Sequence, residues 1–235
     1  MNILKTIKDI IAPKKCYSCK KEGHFLCPEC LQKRQLHSEI CYICKKPSKN
    51  FLLHYNCKKG TILEYFEKII ILAHYKDNYI AKLIKDSKYN HKKDILEDMA
   101  HYLSSHILHF DNLLPKEEYI IIAPPMYFLK KWKRGYNHSE ILAKHIAEKL
   151  QIPYDFSLVK KIKYTRQQSH LTKEQREKNI ISSFSLTKNA NQKIQGKNII
   201  IVDDVVSTGA TIGEIARVLK KSGVKKIVAL IIASD

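Results

Sequence analysis

Ile199-Ile200-Ile201-Val202-Asp203-Asp204-Val205-Val206-Ser207-Thr208-Gly209-Ala210-Thr211 is the stretch whose reading decides the fold. Four β-branched residues in a row, Ile199 to Val202, suit a strand covered on both faces, as in a parallel sheet. Asp203 and Asp204 stand where that strand is expected to end. Ligands of open α/β sheets gather at the carboxyl ends of the strands. Two neighbouring carboxylates there can accept hydrogen bonds from vicinal hydroxyls such as those of a ribose. Ser207, Thr208 and Thr211 offer hydroxyls, and Gly209 lets the backbone approach closely. Ile212, Ile215, Ala216 and Leu219 then repeat at helical spacing up to Gly223, with Lys220 and Lys221 in the last turn. The N-terminus of this helix faces the small loop, and its free amides suit a phosphate. The helix dipole alone contributes only about 0.3–1 kcal/mol, so the loop amides and hydroxyls must do most of the binding. An ordinary strand–turn–helix with acidic caps has the same outline. A Walker-type GxxxxGK[ST] loop and a GxGxxG turn are both absent.

These thirteen residues resemble the phosphoribosyl pyrophosphate (PRPP) motif of the type I phosphoribosyltransferases. The resemblance implies that Asp203 and Asp204 hold the ribose hydroxyls. It assigns the 5′-phosphate to Ser207, Thr208, Gly209, Ala210 and Thr211. It also implies an α/β fold with a mainly parallel sheet flanked by helices.

The chain has 235 residues, which suits one medium domain with a small appendage. No apolar stretch approaches the roughly 18 residues that cross a membrane. Ile3, Leu4, Ile7, Ile10 and Ile11 are interrupted by Lys5 and Lys8, which argues against a signal peptide. The pattern predicts a short amphipathic helix that docks on the body or on a membrane surface. Net charge is +19, from 42 Lys and Arg against 23 Asp and Glu. Such an excess points to a polyanionic partner, nucleic acid first, although solvated lysines without a partner give the same number.

All seven cysteines lie between residues 16 and 57. Cys16-x-x-Cys19 and Cys27-x-x-Cys30 form two knuckles whose four thiolates suit a structural zinc tetrahedron. A disulfide framework fits less well, since nothing marks export. Cys41-x-x-Cys44 and Cys57 begin a second module. Gly60 stands where a further cysteine would complete another CxxC, and His54 is the nearby residue that can substitute. The other reading of this module is a set of three free thiols. The predicted division is a cysteine module over 1–62 and a phosphoribosyltransferase-like domain over 63–235.

Between the two ends, Ile69–Ala73 reads as a strand, 77–86 as a helix and 91–109 as a second helix. Asp94, Glu97 and Asp98 are expected on its solvated face. Tyr119–Ala123 reads as another buried strand, ending at Pro124-Pro125-Met126, where proline breaks the ladder. Lys130, Lys131, Trp132, Lys133 and Arg134 follow. Such a patch can hold phosphates by charge and a base by stacking, although a core tryptophan among solvent lysines is the other reading. Ser139 is expected to cap the next helix, which buries Leu142, Ala143, Ile146, Ala147 and Leu150. Residues 160–179 are basic and polar, and suit either a mobile lid or a surface excursion. Residues 187–197 read as a polar connector, and Ile227–Ile232 as the closing strand.

The order of these features resembles the ComF family of competence-associated, phosphoribosyltransferase-like proteins. The likeness rests on the cysteine modules and Arg134-Gly135-Tyr136-Asn137. It also includes Gln168, Leu171, Arg176 and Asn179, then the 202–211 motif. It implies a role in natural transformation, in which single-stranded DNA and components of the uptake machinery are the partners. It also implies structural Zn²⁺, a PRPP ligand accompanied by Mg²⁺, and a pyrophosphate loop at Pro124-Pro125-Met126. The expected location is the cytoplasm, or the inner face of the membrane. The alternative activity is PRPP-dependent phosphoribosyl transfer to an unidentified base, with residues 160–179 closing over the site.

Overall fold

Alternate side chains of a strand point to opposite faces of its sheet, so an unbroken apolar run needs a partner layer on each side. The computed structural model describes residues 13–34, 36–89, 92–110, 113–114, 118–165, 175 and 179–235. The N-terminal amphipathic stretch, and Gln168, Leu171 and Arg176, lie outside them. The elements run α1 (Pro28–Gln32), α2 (Tyr55–Lys58), β1 (Lys68–His74), α3 (Asn78–Tyr89), α4 (Asp94–His109), β2 (Tyr119–Ile122), α5 (Phe128–Arg134), α6 (His138–Leu150), β3 (Val159–Lys161), β4 (Phe184–Leu186), α7 (Ala190–Ile194), β5 (Asn198–Val206), α8 (Ala210–Lys221) and β6 (Ile227–Ser234).

Strands β1, β6, β5 and β2 form one sheet in that spatial order, every neighbour parallel. A row of partners crosses it: Ile122 beside Ile201, Ile201 beside Ala229, Ala229 beside Ile69. These four belong to one apolar cluster, together with Ile212, Ile215 and Leu219 of α8. The alternate residues Ile70, Ile121, Ile200, Val202 and Leu230 belong to a second cluster on the other face, with side chains from α3, α4 and α6. Both layers are therefore dictated by the period of two along strands whose central residues are apolar on both faces. β3 and β4 make a separate antiparallel pair.

The cysteine segment is built on this sheet rather than beside it. Cys16, Leu26, Cys27 and Cys30 share the core of the α4 face. Cys41, Tyr42, Leu53 and Leu63 share the core of the α8 face. The two knuckles are structural copies. Cys16-Tyr17-x-Cys19-Lys20-Lys21 and Cys41-Tyr42-x-Cys44-Lys45-Lys46 repeat after 25 residues. Lys20 N and Lys45 N donate to the carbonyls of Cys16 and Cys41, each at 2.9 Å. Both lysines are left-handed, with φ of 68° and 59°.

Several sequence expectations change. β5 does not end before the acids, because Asp203 remains opposite Ile231 and Val205 opposite Ala233 on β6. Asp98 is buried rather than solvated. It accepts from Phe25 N at 2.9 Å and from Lys14 Nζ at 3.4 Å, so the docked cysteine segment takes the place of water. Ser139 is not the cap of α6. Asn137 is, its side chain accepting from Ser139 N at 3.2 Å. The 187–197 connector contains α7, whose Ala190 and Ile194 are buried. Trp132 is 86% exposed, which removes the core reading.

Candidate functional site

Every strand of the parallel sheet delivers a residue to one cavity of about 850 Å³ at its carboxyl edge. Tyr75 follows β1, Pro124 follows β2, Asp203 and Asp204 lie on β5, and Asp235 follows β6. Pro125, Met126 and the loop 207–211 also line it. Gly209 has φ of 76° and caps α8. Thr208 Oγ1 accepts from Ala210 N at 3.2 Å, so this hydroxyl shapes the loop from within. The cavity is within the size range of small-molecule sites.

The paired acids are held differently. Asp203 Oδ1 accepts from the Ser139 hydroxyl at 2.8 Å and from Asp204 N at 3.0 Å, and the residue is half-buried. Asp204 is buried, and its Oδ2 lies 2.6 Å from Lys88 Nζ and 3.1 Å from His138 Nε2. Burial, then the neighbouring Asp204 charge, raise the Asp203 carboxyl to about 6. Burial works against ionisation of Asp204 too, but Lys88 and His138 outweigh it and hold that carboxyl far below the ordinary range. Lys88 is raised: its own burial opposes the charge, and the two aspartates more than offset it. Asp204 is thus the anchored anion, and Asp203 is the half-buried acid that lines the cavity.

Arg134-Gly135-Tyr136-Asn137 assembles this constellation residue by residue. Arg134 Nη1 lies 3.0 Å from His138 Nδ1. A guanidinium only donates, so Nδ1 accepts and the His138 proton resides on Nε2, aimed at Asp204. Gly135 ends α5 in the left-handed conformation, with φ of 79°. The Tyr136 hydroxyl donates to Ser87 O, which fixes the end of α3 that carries Lys88. Asn137 Nδ2 donates to Pro124 O at 2.9 Å and holds the proline loop against α6.

The predicted basic patch divides by helix face. Lys130 and Arg134 line the cavity, whereas Lys131 and Trp132 do not. Lys131 pairs with Glu140 at 2.9 Å, and Lys133 lies on the same helix. Lys161, which the sequence reading did not single out for the site, also lines the cavity and donates to Thr165 Oγ1 at 2.8 Å. Burial and the nearby Lys130 lower its ammonium to about 8. Lys88 and His138 were missed as well. No local motif marks Lys88, because its role depends on where α3 ends relative to β5. His138 and Ser139 stand next to the Arg134–Asn137 element, and that adjacency was the available signal.

Two further clusters carry metal-ligand chemistry. The ligand atoms of Cys16, Cys19, Cys27 and Cys30 lie within 4.8 Å of one another, as do those of Cys41, Cys44, His54 and Cys57. Four sulfurs around zinc are spaced by roughly 3.8 Å for Zn–S bonds near 2.3 Å, so both clusters fit the ion. Burial alone would raise the Cys16 thiol, but amide donors from Cys19, Cys27 and Ser18 bring it down to about 6, as suits a thiolate ligand.

The phosphoribosyl transferase domain family matches residues 137–235. Competence protein F of Haemophilus influenzae is 30% identical over 223 residues, covering 87% of this chain and 94% of that protein. The chain belongs to the ComF family. DNA utilization protein YhgH of Shigella flexneri is 27% identical over 225 residues, which are 91% of this chain and 94% of that protein. An amidophosphoribosyltransferase of Staphylococcus aureus is 37% identical over 91 residues, which are 39% of this chain and 18% of that enzyme. The fold is thus a phosphoribosyltransferase-like parallel sheet with the cysteine segment docked on both faces. Among the described residues no helix is long and apolar enough to cross a membrane.

Proposed function

We propose that the protein binds a 5-phosphoribosyl ligand, PRPP or ribose 5-phosphate, and supports the entry of single-stranded DNA into the cytoplasm during natural transformation. The observation that carries the ligand is the placement of half-buried Asp203 beside the 207–211 loop at the N-terminus of α8, in one cavity. Asp203 accepts from the ribose hydroxyls. The loop amides and hydroxyls hold the 5′-phosphate, helped by the helix terminus. Pro124 and Pro125 bring no amide hydrogens, so a pyrophosphate on the sugar would meet Lys130, Lys161 and Arg134 instead. Mg²⁺ would accompany PRPP and offset the charge between its pyrophosphate and the hydroxyls. The strand follows α5, with Trp132 as the stacking surface and Lys131 and Lys133 supplying charge, and the uptake machinery supplies the protein partners. Residues 1–62 act as the cysteine module and 63–235 as the phosphoribosyl domain. Zn²⁺ fills the Cys16, Cys19, Cys27, Cys30 site and the Cys41, Cys44, His54, Cys57 site as a structural ion.

A second reading, transfer of the phosphoribosyl group to a base, is favoured by the cavity's volume, which leaves space beyond the sugar phosphate. On that reading positioning and charge supply catalysis. Calorimetry with PRPP and Mg²⁺, repeated with single-stranded DNA, tests the first reading. The absence of heat with PRPP, or the same heat from Asp203→Asn, would refute it. Pyrophosphate release with mixed bases selects the second.

A further inference from the structure

The first knuckle of each cysteine cluster carries a tyrosine directly after its first cysteine, Tyr17 and Tyr42, and the two tyrosines dock at different places. Tyr17 donates to Asp86 Oδ2 on α3, at 2.6 Å. Tyr42 is buried and donates to the carbonyl of Ser207, the first residue of the 207–211 loop. The chain on the far side of the second cluster presses on the same loop. An added Cβ on Gly209 would stand 2.6 Å from Leu63 Cδ2, and one on Gly213 would stand 2.4 Å from the Ile62 carbonyl oxygen. Thus the segment from Cys41 to Leu63 grips the start of α8 at both ends, by a hydrogen bond to the loop backbone and by direct packing on two glycines. Cys41, Cys44, His54 and Cys57, whose ligand atoms lie within 4.8 Å of one another, belong to this same segment.

We infer that Tyr42 is a positioning residue for the 207–211 loop, and that metal occupancy of the Cys41, Cys44, His54, Cys57 centre is thermodynamically coupled to occupancy of that loop by a phosphate ester. The inference rests on the proposed phosphate role of the loop. A metal at the centre fixes the Cys41–Cys44 turn, and with it the phenol that Tyr42 presents to Ser207. The hydrogen bond from Tyr42 holds the Ser207 carbonyl, and with it the first peptide of the loop. Without the metal the turn and the 57–63 strap are free to separate, and the loop loses both constraints. Coupling of this kind is reciprocal: whatever factor the metal adds to phosphate-ester affinity, the ester adds to metal affinity. The first knuckle provides an internal contrast, since its tyrosine meets Asp86, which does not line the cavity.

The test uses the full chain, ribose 5-phosphate as the probe, and zinc affinity read by competition with a chromophoric chelator. Tyr42→Phe removes one hydroxyl and leaves all eight metal ligands in place. Its dissociation constant for ribose 5-phosphate is expected to rise by about three- to tenfold, the range of one ordinary hydrogen bond, with zinc content unchanged. Amide hydrogen exchange across 207–213 is expected to quicken in the same variant without ligand. Tyr17→Phe is expected to stay within about twofold of wild type. Saturating ribose 5-phosphate should tighten the more weakly held zinc of the wild type, and Tyr42→Phe should reduce that gain. Wild-type affinity in Tyr42→Phe, or equal losses in Tyr42→Phe and Tyr17→Phe, would overturn the inference and leave the phosphate reading standing. No binding of ribose 5-phosphate by the wild type would overturn both.

Discussion

Replacing Lys88 with methionine keeps the length and apolar stem of the side chain and removes only the charge. Lys88 Nζ stands 2.6 Å from Asp204 Oδ2, with the two side chains 21% and 5% exposed. Breaking a buried pair by deleting one partner costs about 3–5 kcal/mol, because the remaining charge stays desolvated. Water reaching the partly exposed lysine site reduces that, and His138 Nε2 still stands 3.1 Å from Asp204 Oδ2, so a loss of about 2–4 kcal/mol is expected. For a chain of this size that lowers Tm by roughly 5–15 °C. The assay is urea unfolding at pH 7.5 with a matching thermal scan. Lys88→Met/Asp204→Asn should recover much of the loss, since contacting residues couple rather than add. The acid limb offers a second readout. Asp204 is held below its ordinary range, so as pH falls through about 4 the unfolded chain takes up that proton first. This contribution is present above the ordinary carboxylate pKa and lost below it, and Lys88→Met should flatten that limb. A loss under about 1 kcal/mol, or full additivity in the double variant, would refute the account of Asp204 as the anchored anion.

Asp203 has the opposite sign. Its carboxyl is raised to about 6, so the folded state binds the extra proton between about pH 4 and 6, and stability falls as pH rises through that window. Asp203→Asn is therefore expected to gain on the order of 1 kcal/mol at pH 7.5 while abolishing PRPP binding in calorimetry. Gly213→Ala ought to stabilise an isolated helix by about 1 kcal/mol. Here the new methyl meets the Ile62 carbonyl, and a net loss of about 1–3 kcal/mol is expected in urea unfolding. Trp132 is the only tryptophan, so strand binding is expected to quench the intrinsic fluorescence of the whole protein. Trp132→Ala should weaken single-strand affinity by about 1–3 kcal/mol and leave Tm unchanged. Elemental analysis should give two zinc ions per chain, falling to one in Cys57→Ser.

The four-residue apolar run at 199–202, the helical repeat from Ile212 to Leu219 and the CxxC spacings were legible because each is a local periodicity or a short ligand motif. The β-branched runs at 69–71 and 120–122 were legible for the same reason, and all became strands of the sheet. Long-range burial was not legible. Asp98 read as solvated because a charge at that helical position faces water unless another segment covers it, and the Phe25 amide does cover it. Ser139 read as a cap because Asn137 and Ser139 are both good capping residues two positions apart. The choice fell to Asn137 once the Ser139 hydroxyl was engaged by Asp203. β4 was missed because a three-residue strand has too short a pattern to separate from a turn.

From sequence alone came the layer order, the two cysteine clusters, the hydroxyl-rich loop and the adjacent acids, since each follows from neighbours along the chain. Tertiary structure alone decided which acid lacks a cationic partner at ion-pair distance among the described residues, because Lys88 and His138 reach Asp204 from α3 and α6 and leave Asp203 half-buried. It also placed the second cysteine knuckle against the loop, 165 positions away from Tyr42 along the chain. Charge in a low-dielectric cleft is settled by what stands within a few ångströms, and that distance is set by packing between elements rather than by spacing within them.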